Sequence, residues 1–420
     1  MQLKDLPIDY SWSFADKTIK DTSYITHGYY TYPAKFIPQL AQRLINEYSN
    51  VGDIVVDPFC GSGTTIVESI VNKRIGIGTD VNDIALLISK VKTTPISTIL
   101  LYETMKNIEN KVRNRIEHNI SCVEIYDKLN LERINYWYVP ESRDKLALLL
   151  EEILFQQNSD VRDFFLVGFC QILKTCSIWL QKSVKPTRDL HKKVYDPIDT
   201  FLSRIQKMIS KHDTFNKYFG KNTDIDSIRR VIASDARNIP LEDNNATLIV
   251  TSPPYVTSYE YADLHQLPLL WLGYIDELSD YRHRFIGSSY KTRDTIDLRS
   301  EIANHIVEQL GETKKSIEVR NYFADMLEVW QESSRVLKRG GRACVVIGNT
   351  VYKGVDILNA EVFVEQFQDI GFKVDGIVHR EIPSKMLPST REANTGRFAK
   401  KQDSDNLVYP TEFILIMKKI

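Results

Sequence analysis

Cysteine is scarce and unpaired in this sequence: Cys60, Cys122, Cys170, Cys176 and Cys344 are its only five, and none sits in a C-x-x-C spacing. An odd, scattered set builds neither a disulfide framework nor a thiolate zinc site, so free thiols and no metal are expected. No apolar run approaches the roughly 20 residues of a membrane span, and Met1-Gln2-Leu3-Lys4-Asp5 leads into a polar, aromatic stretch instead of a signal peptide. A cytoplasmic protein with no membrane partner is therefore expected. Internal repeats and low-complexity tracts are also missing. Net charge is nearly absent, 54 Lys and Arg against 55 Asp and Glu, which excludes a uniformly polycationic binder of nucleic acid.

What is present is an ordinary globular composition, 43% hydrophobic and 26% charged over 420 residues, enough for one large domain with an insertion or for two domains. A helical pattern covers Pro38 to Tyr48. From residue 54 the chain reads strand (54–57), helix (63–72), strand (74–79), helix (82–91), the opening of a parallel sheet with helices on both faces. Residues 98–228 then carry helical periodicity (Thr98 to His118, Ser142 to Gln157, Val161 to Gln181, Asp199 to His212) and few strand signals, and read as a helical insertion. Alternation resumes with strands at 229–233 and 246–251. A helix from Val319 to Leu337 is closed by Lys338-Arg339-Gly340-Gly341, and is followed by strand Arg342 to Gly348, helix Leu358 to Ile370, strand Val374 to Arg380 and strand Thr411 to Lys418. The expected fold is α/β and Rossmann-like: a seven-stranded, mostly parallel sheet interrupted by the insertion, with segments 1–97 and 229–420 forming one domain around it.

Asp57-Pro58-Phe59-Cys60-Gly61-Ser62-Gly63-Thr64-Thr65 follows the apolar Ile54-Val55-Val56 and opens a helix. In that strand, turn, helix context, backbone N–H groups face a nucleotide-like ligand and small residues let it approach. The third glycine of the G-x-G-x-x-G fingerprint is lacking, since Thr64-Thr65 leads into Ile66-Val67-Glu68, so a dinucleotide is the weaker reading. Cys60 has no basic neighbour to lower its thiol pKa and reads as a small residue packed beneath the ligand. Asp80, followed by Val81 at the end of the second strand, lies 17 positions after Gly63, where a carboxylate can accept hydrogen bonds from ribose hydroxyls. Asp235-Ala236 ends the third strand, and Asp235 is placed to meet an adenine amino group. Thr251-Ser252-Pro253-Pro254-Tyr255 leaves the end of a fourth apolar run, Ala246 to Val250.

The runs Asp57 to Thr65 and Thr251 to Tyr255 resemble motifs I and IV of the S-adenosylmethionine-dependent DNA amino-methyltransferases, over most of the chain apart from the insertion. The resemblance implies S-adenosylmethionine as cofactor and double-stranded DNA as partner, with a cognate restriction endonuclease in the same system. It also matches His27 to Phe36 to the family's motif X, which packs over the methionine end; Tyr32, Pro33, Lys35 and Phe36 are the residues carried over. An exocyclic amine is a poor nucleophile because its lone pair is delocalised, so catalysis must hold the nitrogen pyramidal. The Ser252 hydroxyl and the Pro253 carbonyl can each accept one amine hydrogen, Pro253 and Pro254 stiffen the loop, and Tyr255 is expected to stack on a flipped base. Serine at the head of this motif resembles the cytosine-N4 enzymes, whereas Asp or Asn goes with adenine N6. Amine attack on a sulfonium requires neither metal nor covalent cysteine intermediate.

The motif order is X, I, IV, whereas many cytosine-N4 enzymes place IV before I. Two segments compete for DNA recognition, the insertion and residues 256–318, and shared recognition is expected. Locally basic stretches fit a phosphate-gripping face: Lys182, Lys185, Arg188, Lys192 and Lys193; Arg282, Arg284, Lys291, Arg293 and Arg299; and Lys385, Arg391, Arg397, Lys400 and Lys401. Arg282, Arg284, Lys291 and Arg293 are the leading DNA-binding candidates. Two other functions compete: a tRNA guanine-N2 methyltransferase, which would need an RNA-binding domain that the 53 residues before the first strand are too few to supply, and a non-catalytic nucleic-acid-binding module that has kept the fold.

Overall fold

The apolar segments read from the sequence pair into one twisted sheet. A computed structural model of the chain describes residues 3–32, 35–120, 123–183, 185–220, 223–256, 261–287, 297–352, 354–382, 390–391, 398–399 and 411–420. Among them, β1 (Ile54–Asp57), β2 (Ile75–Asp80), β3 (Arg229–Ala233), β4 (Ala246–Thr251), β5 (Leu337–Ile347), β6 (Phe372–Glu381) and β7 (Thr411–Lys419) form a sheet of order β3-β2-β1-β4-β5-β7-β6. Pairings from β3 through β5 are parallel; β7 is antiparallel to both of its neighbours. The fold is the expected Rossmann-like, mostly parallel α/β sheet. The chain winds outward from β1 to β3 and then returns to β4 on the other side of β1. That reversal opens a crevice at the carboxyl ends of β1 and β4, where doubly wound sheets bind ligands.

Burial on both faces explains the uninterrupted apolar runs. On one face Val56, Ile249, Val345 and Leu415 pack beneath the helices Lys314–Val336 and Asn359–Asp369, which contribute Phe323, Trp330, Phe363 and Phe367. On the other, Val55, Leu248, Cys344 and Ile414 meet Leu40, Leu44 and Ile45 of helix Pro38–Tyr48. Each such side chain contributes about 1.5–3 kcal/mol by leaving water.

The stretch 98–228 is helical as read, with Thr98–Glu117, Pro140–Leu154, Ser159–Ile172 and Pro197–Asn216 as its long helices. Their core also takes in Ile84, Ile88 and Val91 of helix Asp83–Lys92 and, from beyond the fourth strand, Ala262, Leu267, Leu269, Trp271, Leu278 and Tyr281. Trp271 sits edge-on to both Tyr138 and Phe169. One core thus joins the two segments that compete for DNA recognition.

Three boundaries differ from the sequence reading by five residues or more. The helix expected from Val161 to Gln181 ends at Ile172, because hydroxyls capture the backbone beyond it: Ser177 Oγ bonds the Lys174 carbonyl at 2.9 Å and Ser142 Oγ the Cys176 carbonyl at 2.6 Å. Helix Lys314–Val336 starts five residues before Val319, where the Thr313 side chain caps Ser316 N–H. Lys338-Arg339-Gly340-Gly341 belongs to β5, because Gly340, at φ +79°, lets the strand bulge between its pairings with Ala246 and Leu248.

Candidate active site

The carboxyl ends of β1, β2, β3 and β4 line one cavity of about 850 Å³, counted with its solvent-open mouth. Asp57, Phe59, Cys60, Gly61 and Thr64 line it from the glycine turn; Asp80 and Val81 from β2; Asp235 and Ala236 after β3; Ser252 and Pro254 after β4; and Tyr32, Lys35 and Phe36 from the aromatic loop. These residues, scattered over two hundred positions, were singled out from the sequence. Gly63 and Thr65 support the wall from below without lining it: Gly63 N–H donates to the Cys60 carbonyl at 2.7 Å, and Thr65 Oγ1 donates to the Val250 carbonyl at 3.1 Å. Pro33, Lys291 and Arg293 lie outside the described residues.

The turn has the geometry its glycines permit. Gly61 and Gly63 take φ of +47° and +74°, and a Cβ on Gly63 would come within 2.5 Å of Ser89 Oγ. Gly61 N–H donates to Asp80 Oδ2 at 2.9 Å and Asn82 N–H to Oδ1 at 2.9 Å, so the β2 carboxylate is held facing the cavity. Burial outweighs these bonds and raises Asp80 to about 6. Asp57 is raised to about 6 by the same cause, against hydrogen bonds from the Thr251 hydroxyl and the Phe59 N–H. Burial also pushes the Cys60 thiol well up, so it stays protonated and is no nucleophile at neutral pH.

Ser62 Oγ and Thr64 Oγ1, at the start of helix Thr64–Val71, are buried without a hydrogen-bond partner and both line the cavity. Lys35 lines it too, with Nζ donating to the His27 carbonyl at 2.8 Å, and burial lowers its pKa to about 8. Orphan hydroxyls beside a helix N-terminus and an ammonium suit a carboxylate. With Asp80 for a ribose, this donor set fits S-adenosylmethionine.

Asp235 reaches the wall already engaged. Arg237 Nε and a terminal nitrogen meet its two oxygens at 2.9 and 2.7 Å, so an adenine amino group would share a carboxylate already bridged by a guanidinium. On the Ser-Pro-Pro-Tyr loop, Ser252 and Pro254 face the cavity; Pro253 is buried and does not line it. The Tyr255 ring packs against Gly348, where an added Cβ would lie 3.2 Å away, and its hydroxyl donates to Glu412 at 3.2 Å. Tyr322 OH donates to the Pro254 carbonyl at 2.7 Å and fixes the loop.

Arg282 and Arg284 are drawn into local ion pairs. Arg282 meets Asp263 at 2.6 Å, while Arg284 meets Asp83 at 3.2 Å and lines the cavity itself. The sequence reading missed Pro58, Ser62, Asn82, Ser234, Phe285 and Ile286, which also line it. Pro58 and Ser62 lie inside the glycine-turn run, and Asn82 directly follows Asp80-Val81. Phe285-Ile286, an apolar pair in a basic stretch, was the signal that a wall and not only a solvated loop was there.

A family profile described as DNA methylase matches residues 3–91 and 246–420. Asp235 falls in the unmatched stretch. The Type II methyltransferase M.MvaI of Kocuria varians is 26% identical over 95% of this chain and 92% of its own, and M.BsoBI of Geobacillus stearothermophilus 27% over 83% and 78%. Among solved structures, a SAM-dependent methyltransferase from Methanosarcina mazei overlaps 90% of this chain and 96% of its own at 10% identity and a TM-score of 0.31. A putative DNA modification methylase from Thermus thermophilus, complexed with S-adenosyl-L-methionine, overlaps 44% and 53% at 20% identity and a TM-score of 0.21. Because the profile takes in both halves of the sheet together with the glycine turn, Asp80 and the Ser-Pro-Pro-Tyr loop, the chain belongs to the DNA methylases, S-adenosylmethionine-dependent amino-methyltransferases of the N4/N6 family.

Proposed function

We propose that the protein methylates the exocyclic N4 amine of a specific cytosine in duplex DNA, in the cytoplasm, as the modification partner of a restriction endonuclease. The acceptor assignment rests on Ser252, a serine at the head of the catalytic loop that lines the same cavity as Asp80. The Type II designation of the relatives supports the pairing with an endonuclease. S-adenosylmethionine, when bound, supplies an electrophilic methyl. The Ser252 hydroxyl, which lines the cavity, accepts a hydrogen bond from the amine, turning the nitrogen lone pair out of the plane of the base, and Pro253 and Pro254 keep the loop rigid. The cytosine reaches this loop by leaving the stack, since a paired base cannot enter a cavity at a sheet edge.

Recognition is assigned to the insertion and residues 261–287 together, supported by their common core. Within the insertion, Lys182, Lys185, Arg188 and Lys193 are exposed, with Arg188 over the Tyr136 ring at 4.2 Å and Lys193 over Tyr195 at 5.9 Å. A mixed cationic and aromatic surface suits a phosphate backbone. Lys192 does not join it, because its Nζ donates inward to the Lys174 and Trp179 carbonyls.

Mass spectrometry of nucleosides from DNA of cells expressing the protein, beside cells expressing Ser252→Ala, tests the assignment. N4-methylcytosine that disappears on substitution is expected. N6-methyladenine in its place would overturn the acceptor, and neither base would redirect the search to RNA.

A further inference from the structure

One helix reaches three walls of the cavity from behind. Helix Lys314–Val336 presents Tyr322 and Asp325, three residues apart and hence on one face, toward the carboxyl edge of the sheet. Tyr322 holds the Pro254 carbonyl of the catalytic loop at 2.7 Å. Asp325, only 1% exposed, accepts from Arg237 through one oxygen at 2.7 Å and from the Gly287 N–H through the other at 3.0 Å. Arg237 in turn grips Asp235 in the wall.

Gly287 is a constrained anchor. Its φ is +72°, and a Cβ there would stand 3.2 Å from Tyr322 Cβ. Residues 284–286, immediately before it, form another part of the wall. Their far end is tied to β2's exit, where the Tyr281 hydroxyl accepts from Asp83 N–H at 2.8 Å and Arg284 pairs with Asp83. The 281–287 segment therefore spans the cavity between two anchors, one beside the ribose-side carboxylate and one on Asp325.

A single buried carboxylate serving both the Asp235 wall and the end of this segment makes the two walls mechanically dependent. We propose that Asp325 is a positioning residue that couples cofactor occupancy to the placement of the 284–287 wall. This rests on reading the cavity as the cofactor site. Contacts at Asp235 strengthen when Arg237 is held by Asp325, and the same hold fixes Gly287; by linkage, whatever orders one wall favours the ordered state of the other.

The test uses the full-length protein and S-adenosylhomocysteine, without DNA. Calorimetry gives the Kd, and mass spectrometry of tryptic fragments gives the cleavage rate after Arg284 with and without saturating ligand. For wild type, ligand should slow that cleavage at least tenfold. Asp325→Asn keeps the shape but cannot accept at both positions; it should weaken binding about tenfold and leave cleavage after Arg284 within twofold of the ligand-free rate even at saturation. Arg237→Lys, which keeps a cation but cannot span both carboxylates, should show the same pattern and serves if Asp325→Asn does not fold. Folded variants with wild-type Kd and full ligand protection would overturn the proposal, as would a lowered melting temperature with protection intact, which marks Asp325 as a merely structural residue. A wrong methyl-acceptor assignment would appear elsewhere, as absent N4-methylcytosine from wild type.

Discussion

Thr251 donates its hydroxyl to Asp57 Oδ1 at 2.7 Å across the seam between β1 and β4. The bond joins the last residue of the strand that carries the glycine turn to the last residue of the strand that carries the catalytic loop. Both groups are buried, so the bond is protected from water. Thr251→Val should leave the Asp57 carboxylate a partner short, cost about 1–3 kcal/mol in urea unfolding, and weaken cofactor binding. Unchanged stability and affinity would show that the Phe59 N–H suffices to hold Asp57.

Ser252→Ala should retain cofactor affinity by calorimetry and lower kcat about a hundredfold, the scale of losing one positioned hydrogen-bonding group in a catalytic site. Tritiated-methyl transfer at saturating cofactor reads it. A wild-type rate would take the hydroxyl out of the mechanism.

Cofactor affinity should have two pH limbs. Asp80 is anionic above about 6 and Lys35 cationic below about 8, so binding of S-adenosylhomocysteine should plateau between those values. It should weaken as the pH falls through the lower, because Asp80 gains a proton, and as it rises through the upper, because Lys35 loses one. Lys35→Met should flatten the alkaline limb, and Asp80→Asn should reduce the acid limb to what Asp57 contributes. An alkaline limb that survives Lys35→Met would assign it to another group.

Gly63→Ala combines a left-handed backbone with a clash against Ser89. The turn must shift to accept it, and the Gly61 N–H that holds Asp80 and the cavity-lining Ser62 and Thr64 shift with it. The variant is expected to lose cofactor binding below detection by calorimetry while circular dichroism still reports a folded sheet; retained affinity would mean that the turn relaxes without moving those groups.

Replacing Lys182, Lys185, Arg188 and Lys193 by glutamine should lessen the slope of log K for DNA against log salt by about 0.9 for every phosphate that is no longer neutralised. Fluorescence anisotropy over a salt series measures it. A slope equal to wild type would move the phosphate-gripping face away from the insertion.

Sheet strands and cavity walls were legible to different degrees for physical reasons. Inner strands buried on both faces, such as β1, β4 and β7, announce themselves as apolar runs; the part-exposed edge strands β3 and β6 were placed by their alternation with helices instead, and strand ends then predicted which of Asp57, Asp80, Asp235 and Ser252 would meet. Side-chain partners brought by distant segments could not be read. Arg284 counted as a DNA contact because its neighbours in sequence are cations, whereas its partner, Asp83, lies 201 positions away. Ser177 ended a helix through a hydroxyl that no periodicity records. Tyr322 and Asp325 were invisible for the same reason: nothing in a helical pattern tells which buried polar groups face loops 38 to 88 positions earlier.

The core that Trp271 shares with Tyr138 and Phe169 bears on how sequence specificity can change between relatives. A chimaera that exchanges residues 98–228 alone would cut through that core, pairing helices from one parent with Leu267, Leu269 and Trp271 from another. Residues 98–228 are therefore no independent cassette between the second and third strands, and a viable graft has to bring residues 262–281 with it; under the recognition role proposed above, new target sequences are reached more readily by point changes on the surface than by recombination.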